Sequence, residues 1–551
     1  MFPTDPWLRA GIGGRPARWL GAVVVAMLSA CGVSEPSTAA DDLDAPDDLT
    51  VLESTTAPAD AVARLELPSP GAPGIGDPLF PTLGNGGYDV LHYDLQLRYE
   101  TADPLQPLDG TVRILARATQ ALSRFDLDFA GDSVAAVRVD GLPAKVSRDG
   151  EDLVITPLLP VFRGQLFLIT VVHFAASPRP VDPTVFVTPF FAMVSGSGWA
   201  LQPNNAHTVF PCNDHTSDKA TFSFRIDVPE GTTAVASGVE TERLTRNGRT
   251  VVQFEQREPM ATELAQVAVG AFSVIDRGVH AGVAVRDVVP THLVADLEPK
   301  LAVVTDHLDF MSGLVGDYPF DVYGSLVSDT PIGFALETQT LSLYSGTSFR
   351  GAATSYGPVM VHELAHQWFG DSVAPARWAD VWANEGHATW YELSFRFGLD
   401  SPAFTSRMQQ LYSLGDLFRA IFGAVANPPS GDIPHLFNQN VYSGGALVLY
   451  ALRQQVGDAV FQQIERAWVA TYRGKSASTA DFIALASRVS GQDLNDFLND
   501  WFYGTLTPAM PGHPDWTVQP AALNASEALT ASSQHLAVPP LSDAEVELIR
   551  R

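Results

Sequence analysis

The apolar residues of this 551-residue chain change their period once, near residue 295, and that change dictates two architectures in series. Before it, runs such as Tyr88-Asp-Val-Leu-His-Tyr-Asp-Leu-Gln-Leu-Arg-Tyr99 and Gly110-Thr-Val-Arg-Ile-Leu-Ala-Arg-Ala118 place an apolar side chain at every second position, as a strand with one buried face requires. Residues 124–129, 135–139, 165–174, 220–228, 250–255 and 283–288 are further strand candidates, with Gly, Pro, Asp or Asn near many of the gaps. Beyond it, residues 301–314 space their apolar positions by three and four, and so do 357–369, 380–396, 404–422, 441–456 and 458–472. The expected fold is multidomain, an all-β domain over 83–290 followed by a mainly α-helical domain over 291–508. A hydrophobic content of 46% against 17% charged residues is enough to give both a core.

One run in the helical half carries chemistry. Val361-His-Glu-Leu-Ala-His366 follows Gly357-Pro358, which can start a helix, and precedes Gly370, which can end one. At 3.6 residues per turn His362 and His366 share a face one turn apart, so both imidazoles can reach one ion while Glu363 flanks them. Nineteen residues after His366 comes Glu385, within Trp382-Ala-Asn-Glu-Gly386 on the next helical pattern. Packing the two helices together would complete a His2Glu site that leaves a fourth position for water. The residues therefore predict a metallopeptidase with one zinc ion per chain on His362, His366 and Glu385, and Glu363 as the base.

The same spacing, with Asn384-Glu385-Gly386, resembles the M1 family of zinc aminopeptidases, the gluzincins. Phe210-Pro-Cys-Asn-Asp-His-Thr-Ser-Asp-Lys-Ala-Thr-Phe222 resembles the family's segment at the substrate edge of its β domain. Tyr93-Asp-Leu95 and Phe125-Asp-Leu-Asp-Phe129 resemble its opening strands, so the likeness runs from about 85 to 508. It implies a β saddle or sandwich followed by a thermolysin-like catalytic domain. The family's G-x-M-E-N stretch is matched by Phe334-Ala-Leu-Glu337-Thr338, which keeps only the glutamate. Glu337 is thereby implied to bind the substrate's free amino group, and a carboxylate suits an ammonium taken out of water. Gln202, nine residues before Pro211, stands where the family has a substrate-binding Gln or Glu. Val441-Tyr442-Ser-Gly-Gly-Ala446 is similar to the family's Y-x-K-G-A, which gives Tyr442 the role of oxyanion donor and puts Gly444 in place of the lysine. Read without the resemblance, Glu337 is a surface or helix-capping carboxylate and Tyr442 one of 13 tyrosines.

The implied activity is hydrolysis of the first peptide bond of peptides with a free amino terminus. Two other readings stay open: a thermolysin-like endopeptidase, which needs no amine-binding carboxylate, and a catalytically silent surface protein that keeps the M1 fold. The family often carries a large helical domain after the catalytic one. Residues 509–551 are too few for it and read as a loosely packed tail, so a short form with a more open pocket is expected.

Residues 1–30 have the layout of an export signal, with Arg9, Arg15 and Arg18 ahead of an apolar run from Trp19 to Ala30. About a dozen apolar residues are too few to span a bilayer, which takes ~20. Leu28-Ser-Ala-Cys31 resembles a bacterial lipobox, in which the cysteine would carry a diacylglyceryl group; a plain signal peptide with an incidental cysteine is the alternative. Residues 31–82, rich in Pro, Ala, Ser, Thr and acids, read as a flexible tether. The expected location is outside the cytoplasm, lipid-anchored to a bacterial cell envelope. Cys212 is the other cysteine, best read as a small buried apolar residue, and no disulfide framework follows. With 62 acidic against 34 basic residues the net charge is -28, which argues against nucleic acid as a partner.

Overall fold

The computed structural model describes residues 66–101, 103–181, 187–428 and 436–519. The export segment, Cys31, most of the expected tether and the chain beyond 519 lie outside the described residues.

An eight-stranded sheet carries the β half, in the order Val239–Arg246, Arg249–Met260, Ala220–Pro229, Tyr88–Arg98, Leu108–Ala118, Leu166–Ala176, Ser133–Val139 and Leu142–Pro143. Neighbours are antiparallel except Ala220–Pro229 beside Tyr88–Arg98, a parallel pair that sets Tyr93 opposite Phe222 and Leu95 opposite Phe224. The period of two aims Tyr93, Leu95, Ile114, Phe222, Phe224 and Phe254 into one core, where Tyr93 stacks on Phe222 with ring centroids 4.7 Å apart. Two four-stranded sheets complete this half. The edge strand Val239–Arg246 was not legible in the sequence, because Val-Glu-Thr-Glu-Arg-Leu-Thr-Arg keeps almost every side chain exposed and so has no alternation.

The expected boundary at 290 falls inside a sheet. Phe272–His280 and Val283–Pro290 have strand periods, but they pair onward with Val322–Ser328 and Ser342–Ser345 of the helical half. Val283, Val285 and Val289 pack into the helical core, and Leu326 and Leu343 pack into the β core. Local periodicity reports a strand but not the sheet it joins, which is why the boundary was misplaced.

The helices follow the periods of three and four, with shifted ends. The metal-motif helix runs Ala353–His366, so Pro358 lies in its second turn and does not open it. The pattern over 404–422 divides into Pro402–Ser413 and Gly415–Phe422, the first capped by Ser401, whose Oγ accepts from Phe404 N at 3.0 Å. Thr479–Ser490, opened by a capping box of Ser478 and Asp481, and Asn495–Tyr503 complete the half.

Both expected flanks are shorter than their composition suggested. Residues 66–82 already belong to the fold: Ser69–Pro70 pairs with Leu122–Asp128, and buried Asp77 accepts from Trp378 N at 2.8 Å and lies 3.0 Å from His215 Nε2. At the other end Trp516 stacks on His513 and Tyr450, and Tyr450 Oη lies 2.8 Å from His513 Nε2. Short irregular segments held by single aromatic or carboxylate anchors carry no period, so composition alone reads them as loose.

Candidate active site

Two helices build the metal end of the site. Ala353–His366 presents His362 and His366, with ring centroids 4.8 Å apart, and Trp382–Phe397 brings up Glu385 from its first turn. Glu385 Oε2 lies 3.4 Å from Nε2 of each histidine. Bonds of about 2.0–2.2 Å at tetrahedral angles put ligand atoms about 3.3–3.5 Å apart, so these donors have the separations zinc needs. Glu385 Oε2 is buried and has no hydrogen-bond partner among the described residues, as a metal-facing oxygen should be.

The charges fit a dication as well. Burial would raise Glu385, but His366 and His362 hold it down at about 2. Burial would lower both histidines, yet Glu385 and Glu392 hold His362 up at about 9, and Glu337 and Glu385 hold His366 at about 10. The carboxylates around the imidazoles supply negative charge that a zinc ion would balance. Glu363, buried beside them, is pushed up to about 8 by desolvation against the pull of both histidines.

The other nitrogen of each histidine faces an oxygen, which the sequence reading left open, but only that of His366 makes a hydrogen bond. His362 Nδ1 lies 3.3 Å from Glu392 Oε2. His366 Nδ1 lies 2.5 Å from Asn384 Oδ1, and the amide of Asn384 then donates from Nδ2 to Glu337 Oε1 at 3.0 Å. Asn384 therefore touches both the ligand histidine and the carboxylate implied to hold the substrate amine. Gly370, with φ 131°, makes room for it, since a Cβ there would collide with Asn384 Oδ1.

The structure brings every remaining expected residue to this place except Cys31, which lies outside the described residues. Glu337 is 2% exposed, and its Oε1 also accepts from Gln202 Nε2 at 2.6 Å. One oxygen each of Glu337 and Glu363 and a nitrogen of His366 lie within 4.8 Å of one another. The backbone of Glu337 is fixed from below, where Gln367 Nε2 donates to its carbonyl at 2.9 Å. Tyr442 sits in the π-helical turn Asn440–Gly444, its ring stacked over His362 at 6.0 Å. Burial, then Glu385, pushes its hydroxyl well above the usual range, so it stays protonated and able to donate. Gly386 and Gly445 bring Trp382–Phe397 and the helix Gly445–Val456, which follows the turn of Tyr442, together on bare backbone: a Cβ on Gly386 would stand 2.9 Å from Gly445 Cα. Gly444 cannot take the family's lysine without a shift, because its Cβ would meet the side chains of Asn440 and Val425.

Lys219, quoted in the sequence only within a motif, ties the halves together. Its Nζ donates to the carbonyls of Asp371 and Ser372 at 2.6 and 2.9 Å, just beyond the metal-motif helix.

The comparisons agree with this geometry. Residues 332–501 match the Peptidase family M1 domain and residues 200–264 match the Peptidase M1 N-terminal domain. Aminopeptidase M1-A of Oryza sativa subsp. japonica is 27% identical over 320 residues, which are 55% of this chain and 36% of that protein. Glutamyl aminopeptidase of Sus scrofa is 26% identical over 465 residues, 75% of this chain and 47% of that protein. The chain thus spans between about a third and a half of the curated relatives it matches. An M1 zinc metallopeptidase from Deinococcus radiodurans, solved as a Glu-to-Ala mutant with a Tyr-Ser-Ala substrate, is 31% identical with a TM-score of 0.70, covering 80% of this chain and 100% of that one. A two-domain M1 zinc metallopeptidase solved with L-tryptophan is also 31% identical, with a TM-score of 0.70 over 80% of this chain and 99% of that one. The two-helix site with zinc spacing, set beside a β domain that matches the same family, makes this chain a member of peptidase family M1, with one zinc per chain.

Proposed function

We propose that the protein is an aminopeptidase that removes the first residue from peptides with a free amino terminus. The observation that carries this reading is Glu337, a buried carboxylate whose oxygen lies within 4.8 Å of one on Glu363 and whose Oε1 is oriented by Gln202 and Asn384. The substrate's α-ammonium ion-pairs with Glu337, which fixes the register so that only the adjacent peptide bond reaches Glu363. His362, His366 and Glu385 would hold a zinc ion, which would supply Lewis-acid chemistry for the hydrolysis. Glu363 takes a proton from the attacking water at its carboxylate and hands it to the leaving amine. Tyr442 donates its hydroxyl hydrogen to the carbonyl oxygen as charge builds there.

A chain placed outside the cytoplasm by its export segment, with Cys31 as a lipid attachment point, completes the reading. The support is the sequence of residues 9–31.

The test is a matched pair of short peptides, one free and one acetylated at the amino terminus. The free peptide should be cleaved and the acetylated one left intact. Glu337→Ala should lower kcat/KM on the free peptide by about 10²-fold or more, the scale of a lost buried ion pair. Comparable cleavage of the acetylated peptide would replace this reading with the endopeptidase one.

A further inference from the structure

Six non-glycine residues have a positive φ among the described residues, and Thr340 is both the one β-branched side chain and the one buried residue of the six. A threonine at φ 68° is crowded against its own backbone, so its surroundings have to hold it there. Thr340 is the third residue of the tight turn Thr338–Leu341, closed by Leu341 N donating to Thr338 O at 3.0 Å. A negative φ at Gln339 followed by a positive one at Thr340 is a turn in which glycine or asparagine is the usual choice at the second place. The turn begins one residue after Glu337, so whatever holds it also holds the carboxylate proposed to bind the substrate amine. From the β half, Gly238 N donates to Thr340 Oγ1 at 2.8 Å, and Leu264 O accepts from Gln339 N at 3.0 Å. From the helical half comes the side chain of Gln367, fully buried and one residue past the ligand His366. Its Oε1 accepts from Thr340 N and its Nε2 donates to Glu337 O, both at 2.9 Å.

We propose that Gln367 is a positioning residue that sets the reach from the zinc donors to the amine-binding carboxylate of Glu337. The backbone groups it joins, Glu337 O and Thr340 N, stand three residues apart, where a turn would pair them with each other. The carboxamide takes the place of that bond and ties both groups to the end of the metal-motif helix. Its orientation is fixed, because only an oxygen can accept from Thr340 N and only an amide N–H can donate to Glu337 O. The hydroxyl of Tyr318 lies 3.1 Å from the same oxygen and holds it further. Glu337 Oε1 stands 4.0 Å from His366 Nδ1, and the shortest route between their backbones runs from His366 to its neighbour Gln367 and across one hydrogen bond. Gln202 and Asn384 orient the carboxylate itself, whereas Gln367 fixes the backbone that carries it. Without the amide, Thr340 is free to relax toward negative φ and the turn shifts, carrying Glu337 away from its place beside the metal end. A displacement of ~1 Å at such a group can cost about 10²-fold in rate. The inference rests on the aminopeptidase reading, since it concerns the register that Glu337 sets.

Two variants of the full-length, zinc-loaded protein test this. Gln367→Met keeps the length of the side chain without its amide, and Gln367→Asn keeps the amide on a stem one methylene shorter. Each is made alone and together with Glu337→Ala, and kcat, KM and zinc content are measured with the free and acetylated peptides. Gln367→Met should lower kcat/KM on the free peptide by about tenfold or more, mainly through KM, with one zinc still bound. Gln367→Asn should lower it by about threefold or more. In the Glu337→Ala background neither should change kcat/KM by more than about twofold, because the group being positioned is gone. An equal loss in both backgrounds shows that Gln367 supports the helix in general and overturns the proposal, as does loss of zinc or full activity of both variants. If Gln367→Met does not fold, Gln367→Asn decides by the same comparison. Comparable cleavage of the acetylated peptide by the unsubstituted protein overturns the aminopeptidase reading and this inference together. Discrimination by that protein with no effect of Gln367 overturns this inference alone.

Discussion

The metal end and the proposed amine end of the cleft lie within 4.8 Å of each other through His366, Glu337 and Glu363, yet they are assembled in opposite ways. Every donor of the metal end comes from two consecutive helices, Ala353–His366 and Trp382–Phe397. The amine end is gathered from Gln202, Glu337 and Asn384, whose hydrogen bonds join residues 135 and 47 positions apart. Local helical geometry fixes the first, whereas the second depends on the β half holding Gln202 in place. A defect in packing between the halves should therefore damage amine recognition before it damages the metal.

The most severe change expected is Glu363→Gln, which should lower kcat by about 10³-fold or more while zinc, measured by elemental analysis, stays bound. Zinc loss with the activity would mean that the base cannot be separated from the metal end. Asn384→Ala sharpens the comparison because Asn384 belongs to both ends. It should weaken zinc by about 10–100-fold, read by chelator competition, and raise KM for free-amine peptides in the zinc-saturated enzyme. An effect on zinc alone would cut the proposed link to Glu337. Gln202→Ala should raise KM by about tenfold and leave zinc affinity untouched, since it removes one hydrogen bond to a charged group.

The smallest effect is on stability and concerns the segment that carries Gln202. Burial lowers His207, but bonded Asp214, with Asp128 and Glu151, holds it up at about 9, and burial with Asp214 pushes Asp128 up to about 8. The charge on His207 stabilises the fold fully below its ordinary value of 6.5 and fades as pH rises through about 9. A buried acid with a raised value also favours the fold less as pH rises toward 8, so both contributions have the same sign. The Tm of the zinc-saturated protein should fall between pH 6.5 and 9, and His207→Gln should flatten that fall. An unchanged slope would show that the cluster does not govern stability.

The same contrast explains what could be read from the sequence. His362, His366, Glu363 and Glu385 were legible because a helix turns spacing into geometry, and the long alternating runs were legible because their inner faces are fully buried. Glu337, Gln202 and Tyr442 came from likeness to a family, since nothing in Phe334-Ala-Leu-Glu-Thr338 marks an amine site. Asn384 stood inside a quoted motif without a role, because its two partners, His366 and Glu337, are joined only in the folded chain. Glu392 had no local sign either, seven residues past Glu385 on a helix whose buried and polar positions intermix.

The strands that cross residue 290 bear on inheritance. A gene fragment beginning at 291 would encode the zinc donors but would lack Phe272–His280 and Val283–Pro290, half the strands of the sheet beside them, as well as Gln202 and Lys219. Recombination at that seam would yield two pieces with torn cores and no intact amine end. The β half and the helical half thus share a sheet, and neither keeps a complete core or cleft when the chain is cut at residue 290.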